Sequence, residues 1–135
     1  MNIKRYVCEN ISEDIWIDIK NYEGLYQVNQ NGVVKALNYR GLGFEFPLQP
    51  SYTQDGYALV HFSKDNQQES FLVHRLVAEA FLHKEDNSLE VNHIDEDKTN
   101  NAVWNLEWCT HKYNCNHGTR NERRRETIKM KNTLN

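Results

Sequence analysis

Residues 89–118 constrain the fold more than any other segment, because two strand-like runs, a polar loop and a helix signal follow one another there without a gap. Residues 89–94 read as a short strand, 95–105 as a loop rich in aspartate and asparagine, and 106–109 as a second strand. Thr110 is placed to cap a helix opening at His111, since its hydroxyl can accept from an amide that lacks a helical partner. Gly118 would close that helix in a left-handed cap. Thr119-Arg120-Asn121-Glu122 has capping-box spacing for a second, basic helix.

The chain upstream is mostly strand-like. Residues 15–19 and 25–28 are short β-type runs, and Asn29-Gln30-Asn31-Gly32 offers hairpin turn chemistry before 33–37. Residues 38–56 hold both prolines and read as a long loop or irregular β segment. A second hairpin joins 57–62 to 70–73 through a polar turn at 63–69. From His74 the period changes: Leu76, Val77, Ala80 and Phe81 form a helical stripe. Residues 84–88 make a polar connection.

The 135 residues suit one compact domain or two small modules sharing a core, and 15 aromatics help to fill it. No apolar run approaches the roughly 18 residues needed to span a bilayer. The basic start lacks an apolar stretch behind it, so no secretory signal is expected. Cys8, Cys109 and Cys115 contain no Cys-x-x-Cys pair, so neither a four-thiolate zinc site nor a disulfide framework is expected. The net charge of −3 is unevenly spread. Residues 111–135 carry seven basic side chains (Lys112, Arg120, Arg123, Arg124, Arg125, Lys129, Lys131) against Glu122 and Glu126, a net of +5 that leaves −8 for residues 1–110. Such asymmetry marks either a phosphate footprint or the solvated face of a basic helix.

Val91-Asn92-His93-Ile94-Asp95 puts a histidine at a strand end beside an amide. Strand alternation points Asn92 and His93 to opposite faces, so both serve one site only if the strand bends or bulges. Asn105 follows His93 by 12 residues, where its amide suits bridging the loop backbone and holding the histidine. Asn114 follows His93 by 21 residues, in the first turn of the expected helix. A neutral histidine can take a proton from water, and oxygen ligands can hold a hard divalent ion with positions open for a phosphodiester. Read alone, His93 is as readily a core histidine, Asn92 a turn amide and Asn114 a helix-surface residue. Asp95 either caps the loop or stands behind the metal. His117 reaches phosphate or the ion, or packs on the surface. His74 and Arg75, at a helix start, can meet an anion. Trp104 and Trp108 read as core.

The run Val91-Asn92-His93-Ile94-Asp95…Lys98-Thr99-Asn100-Asn101…Asn105-Leu106-Glu107-Trp108-Cys109-Thr110-His111…Asn114 resembles the HNH endonucleases of phages and mobile introns. Val73-His74-Arg75-Leu76-Val77-Ala78-Glu79-Ala80-Phe81 is similar to the helix preceding the motif in that family. Glu13-Asp14-Ile15-Trp16…Tyr22-Glu23-Gly24-Leu25-Tyr26-Gln27-Val28 resembles a nuclease-associated N-terminal module. The resemblance implies an α+β fold: a β-rich N-terminal module (13–50), a ββα-metal or His-Me finger nuclease unit (55–118), and a basic C-terminal helix or tail (119–135). It implies His93 as general base, Asn92 and Asn114 as ligands of one divalent cation, Mg²⁺ or Mn²⁺, and Asn105 as structural support, to which the reading of the residues themselves adds Asp95. The implied reaction hydrolyses double-stranded DNA to 5′-phosphate and 3′-hydroxyl ends. A monomer would nick one strand, and cutting both would need a dimer or two events.

Lys35, Tyr39, Arg40, Lys112, Arg120, Arg123, Arg124 and Arg125, with His74, Arg75 and His117, are the expected DNA contacts. Some members carry aspartate at the place of Asn92, and others carry histidine at that of Asn114. Two neutral amides imply weak metal affinity without DNA and better activity with Mn²⁺. Relatives often carry a further DNA-reading module, so a chain ending at Asn135 is expected to have low specificity or to be truncated. The expected setting is the cytoplasm of a bacterial host, encoded by a phage or mobile element. The rival readings are a DNA-binding relative that has lost cleavage and a structural or interaction protein with a histidine-bearing hairpin.

Overall fold

The computed structural model of the protein describes residues 13–86 and 89–116, with side chains as far as Tyr113. Its strands form three antiparallel sheets, each built from neighbours in chain order. The first holds β1 (Trp16–Asp18), β2 (Tyr26–Asn29), β3 (Val34–Ala36) and β4 (Phe46–Pro47). The β2–β3 turn forms because Asn29 Oδ1 accepts from the amides of Asn31 and Val33, both at 2.9 Å, while Gly32 adopts φ +87°. The stretch expected to be irregular contains β4, a single 3₁₀ turn at Tyr39–Gly41, and β5 (Ser51–Tyr52).

The second sheet comprises β5, β6 (Ala58–Lys64) and β7 (Gln67–Leu72). Its hairpin turn is much tighter than the expected 63–69: only Asp65 and Asn66 lie outside the strands, at φ 53° and 64°. Both residue types tolerate the left-handed region, which a two-residue turn of this hand requires. The flanking polar residues resemble a loop in sequence because this end of the ribbon is solvated on both faces.

Helix α1 (Val73–Phe81) follows β7 directly. Leu72, at its N-cap, has no side-chain acceptor, so burial places the helix start. Val73, His74, Leu76, Val77, Ala78 and Phe81 are all buried. The third sheet pairs β8 (Glu90–His93) with β9 (Leu106–Cys109), and α2 (His111–Asn116) completes a ββα unit. The Tyr113 amide donates to Thr110 Oγ1 at 3.1 Å, so Thr110 does cap α2.

One apolar cluster joins Val28 and Val34 of the first sheet, Val60 and Phe62 of the second, Val77 of α1, and Val91, Val103 and Leu106 of the ββα unit. Each of these side chains contributes about 1.5–3 kcal/mol by leaving water. The first hairpin also braces the loop between β8 and β9. The Val103 amide donates to the Gln30 carbonyl at 2.8 Å. Gly32 abuts Asn101 so closely that a Cβ there would lie 3.0 Å from Asn101 Cβ and from its carbonyl oxygen.

Candidate active site

The β8–β9 ladder opposes Asn92 to Glu107 and His93 to Leu106. The expected bulge is absent: pairing stays regular through His93, so alternation holds and Asn92 and His93 leave the strand on opposite faces. On the inner face, His93 is 6% exposed and its Nε2 lies 2.8 Å from Asn101 Oδ1. A carboxamide oxygen only accepts, so Nε2 carries the proton and Nδ1 keeps its lone pair in the neutral ring. The rings of His74 and Tyr57 lie 4.9 and 6.0 Å from the His93 ring. On the other face, Asn92 Nδ2 donates to Glu107 Oε1 at 2.9 Å.

Loop geometry follows from Asn105 and Asp95. Asn105 Oδ1 accepts from the Asp95 amide at 3.0 Å, and its Nδ2 donates to Asp95 Oδ1 at 2.8 Å and to the Asn100 carbonyl at 2.9 Å. Asp95 Oδ2 accepts from Asn100 Nδ2 at 2.9 Å. These bonds, that from Asn100 foremost, hold the Asp95 carboxyl below its usual range. Asp97 is held down in the same way by Thr99. The loop is thus cross-linked by side chains that its polar composition supplies, and it presents Asn101 to His93.

His74 faces inward against His93 and Tyr57, while its neighbour Arg75 is exposed. His74 is 6% exposed and its Nδ1 has no hydrogen-bond partner. Burial, with the charges of His93 and Arg75 adding to it, pushes its pKa down to about 4. It is therefore a neutral ring at physiological pH. Lys98 reaches over Tyr57 at 4.8 Å and donates to the Asp55 carbonyl at 2.8 Å, at the rim of this group.

The remaining expected contacts are dispersed. Lys35 pairs with Glu45 at 3.0 Å and lies over Trp16, while Arg40 is exposed at φ 52° beside Tyr39. Lys112 is exposed on α2. Trp108, half-buried, donates to the Leu82 carbonyl at 3.2 Å, but Trp104, expected in the core, is 40% exposed. Asn114 lies on α2, with its side chain outside the described residues, as is that of Cys115. His117, Arg120, Arg123, Arg124, Arg125, Gly118, the 119–122 capping box and Cys8 also lie outside them.

Three residues that touch the expected site were not singled out from the sequence: Asn101, Tyr57 and Glu107. Asn101 belongs to the Asn-Asn pair of the motif but has no distinguishing chemistry until the loop folds. Tyr57 comes from outside the unit, in the connection that leads into β6. Glu107 was accessible in principle, since pairing residues 89–94 with 106–109 as a hairpin sets it near Asn92.

Among the described residues no three His, Cys, Asp or Glu side chains converge as a metal group. The donor set on the Asn92 face nevertheless suits a hard cation, because amide and carboxylate oxygens are what Mg²⁺ and Mn²⁺ take. No helix among the described residues is long and apolar enough to cross a membrane.

Residues 71–115 match the HNH endonuclease family model. The chain is 39% identical over 100 residues to the DNA endonuclease I-HmuI of Bacillus phage SP01, covering 73% of this chain and 54% of that protein. It is 41% identical over 83 residues to the uncharacterized HNH endonuclease L245 of Acanthamoeba polyphaga mimivirus, covering 62% of this chain and 25% of that one. A solved structure of I-HmuI, described as DNA binding and cleavage by the HNH homing endonuclease, superposes with a TM-score of 0.69 at 36% identity, over 84% of this chain and 60% of that one. The chain thus spans between a quarter and about half the length of these curated relatives. Residues 71–115 thus carry the sequence of an HNH endonuclease unit, and the α+β fold across most of the chain matches that of the HNH homing endonuclease I-HmuI.

Proposed function

We propose that the chain is a divalent-metal-dependent endonuclease that hydrolyses phosphodiester bonds of double-stranded DNA and nicks one strand per site. The observation that carries this reading is His93, buried at a strand end with Nε2 engaged by Asn101 and Nδ1 left as a base. The described DNA binding and cleavage by I-HmuI, whose fold this chain shares, supports the same substrate.

His93 Nδ1 takes a proton from water, whose oxygen bonds to phosphorus as the 3′ oxygen departs with the electrons of its bond and is then protonated. The products are 5′-phosphate and 3′-hydroxyl ends. Asn101 holds the tautomer, Asn105 and Asp95 hold the loop that carries Asn101, and His74 and Tyr57 hold the ring. Asn92 and Asn114 would hold the divalent cation, which would supply positive charge to the phosphate and to the leaving oxygen. Asn92 and His93 leave opposite faces of β8, so on this reading the phosphate approaches the edge of β8 that does not pair with β9, which dispenses with the bulge that a site on one face would need. The β-rich N-terminal module (13–50), with Lys35 and Arg40, and the basic tail (119–135) extend the contact along the duplex from the nuclease unit (55–118). The setting on this reading is the cytoplasm of a bacterial host, with a phage or mobile element as the source.

Supercoiled plasmid incubated with Mg²⁺ or Mn²⁺ tests the proposal. Wild type should give nicked circles, and His93→Ala should bind duplex without nicking it. Full-rate nicking by His93→Ala removes the base assignment. A wild-type band shift without nicking leaves the DNA-binding rival.

A further inference from the structure

We infer that Glu107 supplies the one carboxylate ligand of the metal site, in the role left open by the neutral amide of Asn92. The inference rests on the metal-dependent reading above and goes beyond it, because that reading leaves the cation on two amides alone.

Three observations meet at Glu107. First, Asn92 is 6% exposed, and its only hydrogen bond among the described residues is donated by Nδ2 to Glu107 Oε1 at 2.9 Å. That orientation leaves Asn92 Oδ1 as an oxygen without a partner, and it is not among the sealed orphan atoms, of which His74 Nδ1 is the one found. An open amide oxygen beside a carboxylate is a pair of hard donors on one face of the hairpin.

Second, Glu107 is half-buried, and no lysine or arginine among the described residues pairs with it. Its partners are the neutral Asn92 amide, at 2.9 Å, and the Tyr113 hydroxyl. Tyr113 immediately precedes Asn114 on α2, so Glu107 lies where the hairpin face meets the helix that carries the other expected ligand.

Third, the same face carries further negative charge. Glu90 lies opposite Cys109 in the ladder and two residues before Asn92, so alternation sets it on the face of Asn92 and Glu107, where His111 Nδ1 lies 3.1 Å from its carboxylate. An uncompensated carboxylate beside a polyanionic substrate is repulsive. A divalent cation between carboxylate and phosphate turns that repulsion into two attractive contacts. Placing the acid on β9 opposite the amide, rather than on β8, keeps the same charge near the ion.

The test is Mn²⁺ binding by the full chain, read from the loss of the free-ion signal in electron paramagnetic resonance, with and without a short DNA duplex. Glu107→Gln keeps the oxygen that accepts from Asn92, and so removes charge while preserving the hydrogen bond. It should weaken Mn²⁺ binding at least tenfold with the thermal midpoint retained. The double variant Asn92→Asp/Glu107→Gln moves the carboxylate to β8 with donor and acceptor exchanged, and should restore the affinity. Affinity unchanged in Glu107→Gln overturns the assignment. If Glu107→Gln fails to fold, the double variant decides: near-wild-type binding supports the assignment and loss of binding refutes it. A wild-type chain that takes up no Mn²⁺, alone or on duplex, overturns the metal-dependent reading and this inference together. Wild-type uptake with an indifferent Glu107→Gln overturns the inference alone.

Discussion

Acid should destabilise this protein through one buried ring, His74. Its pKa falls from 6.5 to about 4 on folding, first because burial penalises the imidazolium and then because His93 and Arg75 repel it. Tyr57 and His93 pack against the ring, and neither offers Nδ1 a hydrogen bond. Between pH 6.5 and about 4 the unfolded chain therefore holds more protons at this site than the folded one, and stability rises with pH across that window. At about 1.4 kcal/mol per pKa unit, the folded state should lose about 2 kcal/mol between pH 7 and pH 5, and about 3 kcal/mol in all.

The carboxyls of Asp95 and Asp97 are held below 3.8, so their stabilisation is lost only at lower pH and leaves the comparison at pH 5 clear. His74→Leu removes both the titration and the orphaned nitrogen, so at pH 7 it should be no less stable than wild type. Urea unfolding followed by tryptophan fluorescence at pH 7 and pH 5 makes the measurement. Wild type should lose about 2 kcal/mol more than His74→Leu over that step. An equal loss in the two proteins would refute the placement of His74 as a buried neutral ring.

Asn105→Ala removes three hydrogen bonds that close the loop and leaves the Asp95 amide without its partner. It should lower unfolding free energy by about 2–3 kcal/mol in urea, and a loss below about 1 kcal/mol would contradict the bridging role. Gly32→Ala puts a methyl 3.0 Å from Asn101 at φ +87°. It should cost about 1–2 kcal/mol in backbone strain alone, and plasmid nicking should slow as Asn101 shifts from His93. Unchanged nicking in a destabilised Gly32→Ala would show that Asn101 does not set the histidine.

Much of the local structure is legible because it is written in short-range chemistry. Asn29 and Gly32 specify their turn, Thr110 specifies the start of α2, and the alternation of Val91 and His93 specifies which face of β8 meets the apolar core. The tight turn at Asp65–Asn66 was hidden because its solvated ribbon lacks a hydrophobic pattern to show where strand gives way to loop. Trp104 was misplaced because its size suggests the core, whereas the 3₁₀ turn at Val103–Asn105 buries Val103 instead.

Residue types and spacing alone determined that a histidine, an amide-rich loop and a capped helix would assemble as one ββα unit, since each step is a contact between near neighbours in the chain. Tertiary structure alone decided what surrounds that histidine. Asn101, His74 and Tyr57 come from the loop, α1 and the connection that leads into β6, and they meet His93 only because the shared apolar core packs these elements together. Strand pairing likewise set Glu107 against Asn92, because antiparallel register joins residues 15 apart in sequence. The chemistry of a site is local to its residues, but its electrostatics and hydrogen bonds depend on the neighbours that burial brings in.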